Sequence, residues 1–201
     1  MMTGIILAGG KGSRLKQNKA LLEIGRTKII EKILATFDSV FAEKIIVIDK
    51  PSDLYQGLGC RVVTDLIPGK DSLGGIYTGI HSSSFLHSFV VACDMPFLKK
   101  GLIEYFKTVA DDYDVVVPKI SARFEPLHAI YSKRCLAYME DLIREDNLRI
   151  LDFYPRVRVR TVSHREIKRF DPQMRSFFNI NTQDELEEAL RISQEPGEVV
   201  K

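Results

Sequence analysis

Close to the start of the chain, a short apolar run, Ile5-Ile6-Leu7-Ala8, empties directly into Gly9-Gly10-x-Gly12-x-Arg14, with Lys19 a little further on. The run predicts a buried strand that begins near residue 3. Glycines at the end of a strand bring bare backbone N–H groups up to a ligand, because no Cβ stands in the way, and that is how a chain builds a phosphate cradle. Arg14 and Lys19 would add the positive charge that phosphate oxygens need. The same residues serve equally as a tight turn with solvent-facing bases, and their spacing is neither that of a Walker A loop nor that of the dinucleotide fingerprint.

Downstream of this loop the chain alternates between strand and helix. Ile29, Ile30, Ile33, Leu34, Phe37 and Phe41 mark one buried face of a helix over 28–40, and 44–48 and 61–64 read as strands around a short helical turn near 51–56. A helix is expected over 73–84, opening with Gly74-Gly75. Phe89-Val90-Val91-Ala92-Cys93 has no polar alternation, which predicts a strand covered on both faces. A helix over 99–110 and a strand over 114–117, stopped by Pro118, complete a regular α/β series. Past Pro118 the rhythm loosens: a charged, mobile connection over 122–125, a strand over 127–131, a helix capped by Ser132, and a short helix over 147–154. In 156–162 Arg alternates with Val, read as an edge strand with a basic binding face as the rival. Thr182 and Glu185 form a capping box for a last helix. The whole is expected to be one domain, residues 1–118 mainly for nucleotide and 119–195 mainly for an acceptor.

In such sheets ligands sit at the carboxyl ends of the strands, where this chain carries Gly9-Gly10, Asp65 and Asp94. Two strand-terminal carboxylates could share a divalent cation with phosphate oxygens, Mg²⁺ above all, although each is also a natural turn or cap residue. Together with the glycine loop they describe a nucleoside triphosphate site. The near-balanced net charge of +2 argues against a general nucleic-acid binder. Three cysteines without motif spacing fit a reducing, cytoplasmic setting, and four histidines without ligand spacing argue against catalytic zinc. No apolar run is long enough for a membrane span.

Several segments carry a resemblance: Leu7-Ala8-Gly9-Gly10, Arg14, Lys19-Ala20-Leu21-Leu22, Leu73-Gly74-Gly75-Ile76, Ala92-Cys93-Asp94-Met95-Pro96-Phe97, Glu125-Pro126-Leu127 with Ala129-x-Tyr131, and Phe178-Asn179-Ile180-Asn181-Thr182. Over residues 5–186 the chain resembles the molybdenum cofactor guanylyltransferases, within the nucleotidyltransferase superfamily. The resemblance implies a three-layer, Rossmann-like nucleotidyltransferase fold of α/β class, with a mostly parallel mixed sheet. It implies transfer of GMP from GTP to molybdopterin, the molybdenum cofactor, with release of pyrophosphate. By the family pattern Leu7, Ala8, Gly9, Gly10, Lys19, Asp65, Gly74, Gly75 and Asp94 bind nucleotide, and Arg14, Lys19 and Asp94 are catalytic. The same pattern has Asp94 hold Mg²⁺ and Asn179 and Asn181 face the acceptor. Two departures stand out: the family's Arg-Met-Gly-x-Asp-Lys is here Arg14-Leu15-Lys16-Gln17-Asn18-Lys19, with a lysine for the usual glycine and a neutral amide for the usual carboxylate. The rival functions are a molybdopterin cytidylyltransferase or other small-molecule nucleotidyltransferase, and a non-catalytic nucleotide- or pterin-binding regulator or adaptor. Arg156, Arg158 and Arg160 motivate a further role, transient contact with molybdoenzymes or cofactor-delivery proteins.

Overall fold

The computed structural model describes residues 1–9 and 19–195. The first strand, β1 (Thr3–Leu7), is buried along its whole length. The hairpin β2 (Glu23–Ile24) and β3 (Thr27–Lys28) turns at Gly25, whose φ of 72° favours glycine, and leads into α1 (Ile29–Asp38) with the apolar stripe its spacing predicts. Next come β4 (Glu43–Ile48), β5 (Arg61–Thr64), α2 (Asp71–Ser82), β6 (His87–Ala92), α3 (Lys100–Thr108) and β7 (Val115–Ile120). The last part holds β8 (Arg123–Phe124), β9 (His128–Ser132), α4 (Leu136–Arg144), β10 (Val159–Ser163), α5 (His164–Ile167) and α6 (Gln183–Ser193).

Among the described residues one eight-stranded sheet runs β10-β7-β9-β6-β1-β4-β5, with β8 paired to β7. The pairs β1–β4, β1–β6, β4–β5 and β7–β10 are parallel, and β9 runs against β6 and β7. One rim therefore collects the carboxyl ends of β1, β4, β5, β6, β7 and β10, and β9 starts from it, so Glu125-Pro126-Leu127 arrives there too. Side chains of α1, α3, α5 and α6 pack one face around Phe37, Phe89 and Phe106, and those of α2 and α4 pack the other around Tyr131 and Phe153. This is the α/β sheet with helices on both faces that the alternation predicts.

Close packing of α2 on β1 depends on Gly79. A Cβ there would stand 2.6 Å from Ile5 Cγ2, and Ile5 is fully buried with nowhere to go. Gly79→Ala is expected to destabilise by about 1–2 kcal/mol net of the helix propensity gained, read as a lower urea midpoint; an unchanged midpoint would show that the core yields there.

Three segments differ from expectation. Pro118 lies inside β7 rather than ending it. Its carbonyl accepts from Glu125 N at 3.0 Å, so its ring nitrogen faces the same side, where the β7–β9 ladder has already ended at Val116 and no donor is missed. The expected mobile connection over 122–125 is a tight β7–β8 hairpin. Its turn residues Ser121 and Ala122 take φ of 46° and 72°, values that normally announce themselves as Asn-Gly. The turn of helix in 147–154 is a 3-10 stretch over Ile150–Arg156. One further helix, α5, has only Ser163-x-x-Glu166, a capping box, to announce it in the sequence.

Candidate active site

Beyond the last residue of β1 the ladder continues on both sides. Ala8 N donates to Val47 O at 2.8 Å and Cys93 N to Leu7 O at 3.0 Å, which pins the Leu7-Ala8 backbone between β4 and β6. Tyr55 donates its hydroxyl to Ala8 O at 3.4 Å. Gly9 makes a close approach: a Cβ would fall 1.9 Å from Asp49 Oδ1, so a larger residue there would have to turn that carboxylate aside. Gly10 and Arg14, with the Lys16 and Asn18 departures, lie outside the described residues.

Lys19 begins a 3-10 turn, Lys19–Leu21, anchored by the fully buried Ala20. Its ammonium reaches two places at once. Nζ lies 3.0 Å from Asp94 Oδ2, both side chains being 16% exposed, and it also donates to Asn181 Oδ1. Asp94 stands just past β6, and its carbonyl accepts from Ile180 N at 3.0 Å, tying the 179–181 segment to the rim. The second carboxylate oxygen, Asp94 Oδ1, is buried without a hydrogen-bond partner among the described residues. A buried, orphaned carboxylate oxygen is what a hard divalent cation with phosphate co-ligands would take up. Asn181 and Thr182 both donate backbone N–H to Glu185 Oε2, at 2.7 and 2.9 Å. The Asn181 hydrogen bond, helped by those from Thr182 and by the nearby Lys19 charge, holds the Glu185 carboxyl below its usual range against slight desolvation.

Asp65 belongs to a second cluster. Its Oδ1 accepts from Thr78 Oγ1 at 2.7 Å and Ile67 N at 3.1 Å, which folds the turn after β5 onto α2. Gly74 permits this contact, since a Cβ would come within 3.1 Å of Ile67 O and 3.3 Å of Asp65 Oδ2; a Cβ on Gly75 would meet Leu7 Cδ2 at 3.3 Å. Asp65 and Asp94 do not share one ion. They end β5 and β6, with β1 and β4 between them, so three strand spacings or roughly 14 Å separate them, against metal–oxygen distances of about 2 Å.

The two asparagines also part. Asn181 reaches Lys19, whereas Asn179 donates its amide to Phe177 O at 3.2 Å within its own turn. Burial, reinforced by the Asp94 charge, pushes the Cys93 thiol up to about 12, which disfavours the thiolate that a nucleophile needs. Sequence reasoning passes over Asp49 and Glu185. Asp49 is visible as an acid directly after a strand, but not as the neighbour of Gly9, because that depends on β4 lying beside β1. Glu185 reads only as a helix cap.

The arginines near β10 are each met by an acid on this chain: Arg156 by Asp141 at 2.9 Å, Arg158 by Asp114 at 3.4 Å and Arg160 by Glu166 at 2.5 Å. β10 is an edge strand, as the alternation predicts, but it begins only at Val159, so Arg156 ends the 3-10 stretch and Arg158 precedes the strand. Among the described residues no group of three or more His, Cys, Asp or Glu side chains could hold a metal alone, and no helix is long and apolar enough to cross a membrane.

Residues 4–159 match the family model of the MobA-like NTP transferase domain. The chain is 40% identical over 187 residues to a probable molybdenum cofactor guanylyltransferase of Pelotomaculum thermopropionicum, covering 93% of this chain and 91% of that protein. It superposes on molybdopterin-guanine dinucleotide biosynthesis protein A from Archaeoglobus fulgidus with a TM-score of 0.84 at 28% identity, covering 94% and 97% of the two chains. The 2-C-methyl-D-erythritol 4-phosphate cytidylyltransferase of Thermus thermophilus shares the fold, with a TM-score of 0.72 at 15% identity and coverage of 95% and 98%.

Proposed function

Since this chain belongs to the MobA-like NTP transferase family and is a nucleotidyltransferase, we propose that it transfers GMP from GTP to molybdopterin and releases pyrophosphate. The observation that carries the reading is the meeting of Lys19, Asp94 and Asn181 at the sheet rim, in a chain 40% identical to a probable molybdenum cofactor guanylyltransferase. In this reading residues 1–118 serve mainly the nucleotide and 119–195 the acceptor.

An oxygen of the acceptor's terminal phosphate forms a bond to the α-phosphorus of GTP as the bond from that phosphorus to the pyrophosphate oxygen breaks. The attacking phosphate is already ionised, so no general base is needed. Negative charge grows on the α-phosphate and the departing pyrophosphate, and the task of the site is to hold positive charge there. Lys19 supplies an ammonium at this point, and by the family pattern Arg14 is the second cation of the site. Asp94, with its orphaned oxygen, is the residue to hold Mg²⁺, which when bound supplies Lewis-acid neutralisation of the phosphates. By the family pattern Leu7, Ala8, Gly9 and Gly10 bind the nucleotide, Gly74 and Gly75 let α2 close beneath it, and Asp65 fixes the turn beside base and ribose. Asn179 and Asn181 face the pterin.

Calorimetric titration with GTP, CTP and ATP in Mg²⁺ tests this. GTP is expected to bind at least about tenfold more tightly than CTP, a margin of about 1.4 kcal/mol. CTP preference would make the protein a cytidylyltransferase on the same fold, and binding without pyrophosphate release would make it a non-catalytic nucleotide binder.

A further inference from the structure

Lys19 stands where a divalent cation and a triphosphate both have a claim. Its ammonium is 3.0 Å from Asp94 Oδ2 and donates simultaneously to Asn181 Oδ1. With both Lys19 and Asp94 only 16% exposed, salt and water screen this pair less than an ordinary surface pair. Asn181 is fixed from behind, because Glu185 Oε2 accepts both its N–H and that of Thr182. Three groups that the proposed reaction uses are therefore engaged with one another.

A cation approaching the free oxygen, Asp94 Oδ1, meets a like charge on the other oxygen of the same carboxylate. At this separation, and partly shielded from water, the repulsion amounts to more than a factor of ten in affinity. We propose that Lys19 is an exchangeable counter-ion of Asp94: a divalent cation takes the carboxylate as the ammonium leaves it, and the phosphates of a nucleoside triphosphate receive the ammonium. Cation and nucleotide binding are then coupled, each strengthening the other, because each removes the obstacle the other faces. Asn181 gives up its contact with Lys19 in the same exchange, so its side chain becomes available to the second substrate after the nucleotide is in place. The inference rests on the reading of Asp94 as the cation ligand.

The test is titration of the full chain with Mn²⁺ alone, followed by electron paramagnetic resonance, for the unmodified protein, Lys19→Gln and Asp94→Asn. Lys19→Gln is expected to bind Mn²⁺ about tenfold more tightly than the unmodified protein although it binds GTP more weakly, and Asp94→Asn is expected to lose the site. Lys19→Met, which keeps the aliphatic stem, repeats the measurement should Gln disturb the Lys19–Leu21 turn. Equal or weaker Mn²⁺ binding in both lysine variants, with the site lost in Asp94→Asn, overturns the exchange alone. Retention of the site in Asp94→Asn overturns both the exchange and the metal assignment beneath it.

Discussion

Asp94→Asn is expected to lower the rate of pyrophosphate release by about a hundred- to a thousandfold and to leave the melting temperature within a few degrees of the parent. Asn is nearly isosteric with Asp, and the contact that ties the rim to the 179–181 segment uses the Asp94 carbonyl rather than its side chain, so that link survives. What disappears is the negative charge that balances Lys19 and would hold Mg²⁺. The loss of the ion pair is offset, because Asn removes the charge that the parent buries with Asp94 Oδ1 unpartnered among the described residues, and an amide oxygen can still accept from Lys19. Steady-state assays over a range of Mg²⁺ distinguish the roles. A kcat defect that persists at saturating Mg²⁺ fits charge missing from the transition state, whereas a full rate restored by added Mg²⁺ would reduce Asp94 to a minor affinity determinant. A collapse of the melting temperature with the remaining folded enzyme fully active would make the residue structural.

The strands and helices of residues 1–118 are legible in the sequence because burial there is patterned: the stripe Ile29 to Phe37 has the helical period, and the unbroken run Phe89 to Val91 is short, with β-branched Val90 and Val91. The rim residues Asp65 and Asp94 are legible too, as acids that directly follow apolar runs. Strand order is not. That Asp65 and Asp94 lie far apart, and that Asp49 lies against Gly9, results from β1 and β4 standing between β5 and β6, an arrangement no local pattern encodes. The bridge from Lys19 to Asn181 spans 162 positions and arises because Ile180 N docks on the Asp94 carbonyl. Past Pro118 the signals weaken for local reasons. The turn at Ser121 and Ala122 holds positive φ without glycine, and Pro118 sits within β7 at the point where β9 has already parted from it.

Acid is expected to destabilise this protein through His128, in a pH range where most carboxylates are still silent. The ring is fully buried, with centroids 5.1 Å from Phe89, 5.9 Å from Phe106 and 4.7 Å from Phe177, and neither nitrogen has a hydrogen-bond partner among the described residues. Burial pushes its pKa down to about 3, and the Ser176 backbone, close without making a hydrogen bond of normal geometry, opposes that only in part. In the unfolded chain the ring titrates near ~6.5. Between these values the unfolded state binds the proton and the folded state does not, so stability present above pH ~6.5 is lost progressively as the pH falls toward 3. From pH ~6.5 to ~4.5 the loss is about 2–3 kcal/mol. Glu166 also weakens the fold in acid, but its window lies lower: desolvation favours the neutral form, yet hydrogen bonds from Ser163, Tyr105 and Arg160 hold its carboxyl at about 2, so its contribution fades only below pH 4.5. Urea midpoints at pH 7.5 and 5.0 lie above the Glu166 window, and the difference between the parent and a variant at His128 isolates the histidine. His128→Leu, which keeps an apolar side chain among the three phenylalanines and removes two buried nitrogens without hydrogen-bond partners among the described residues, is expected to flatten the fall between the two pH values. An equally steep fall in the variant would mean that His128 takes up its proton inside the folded core, and that the aromatic cage admits a charge.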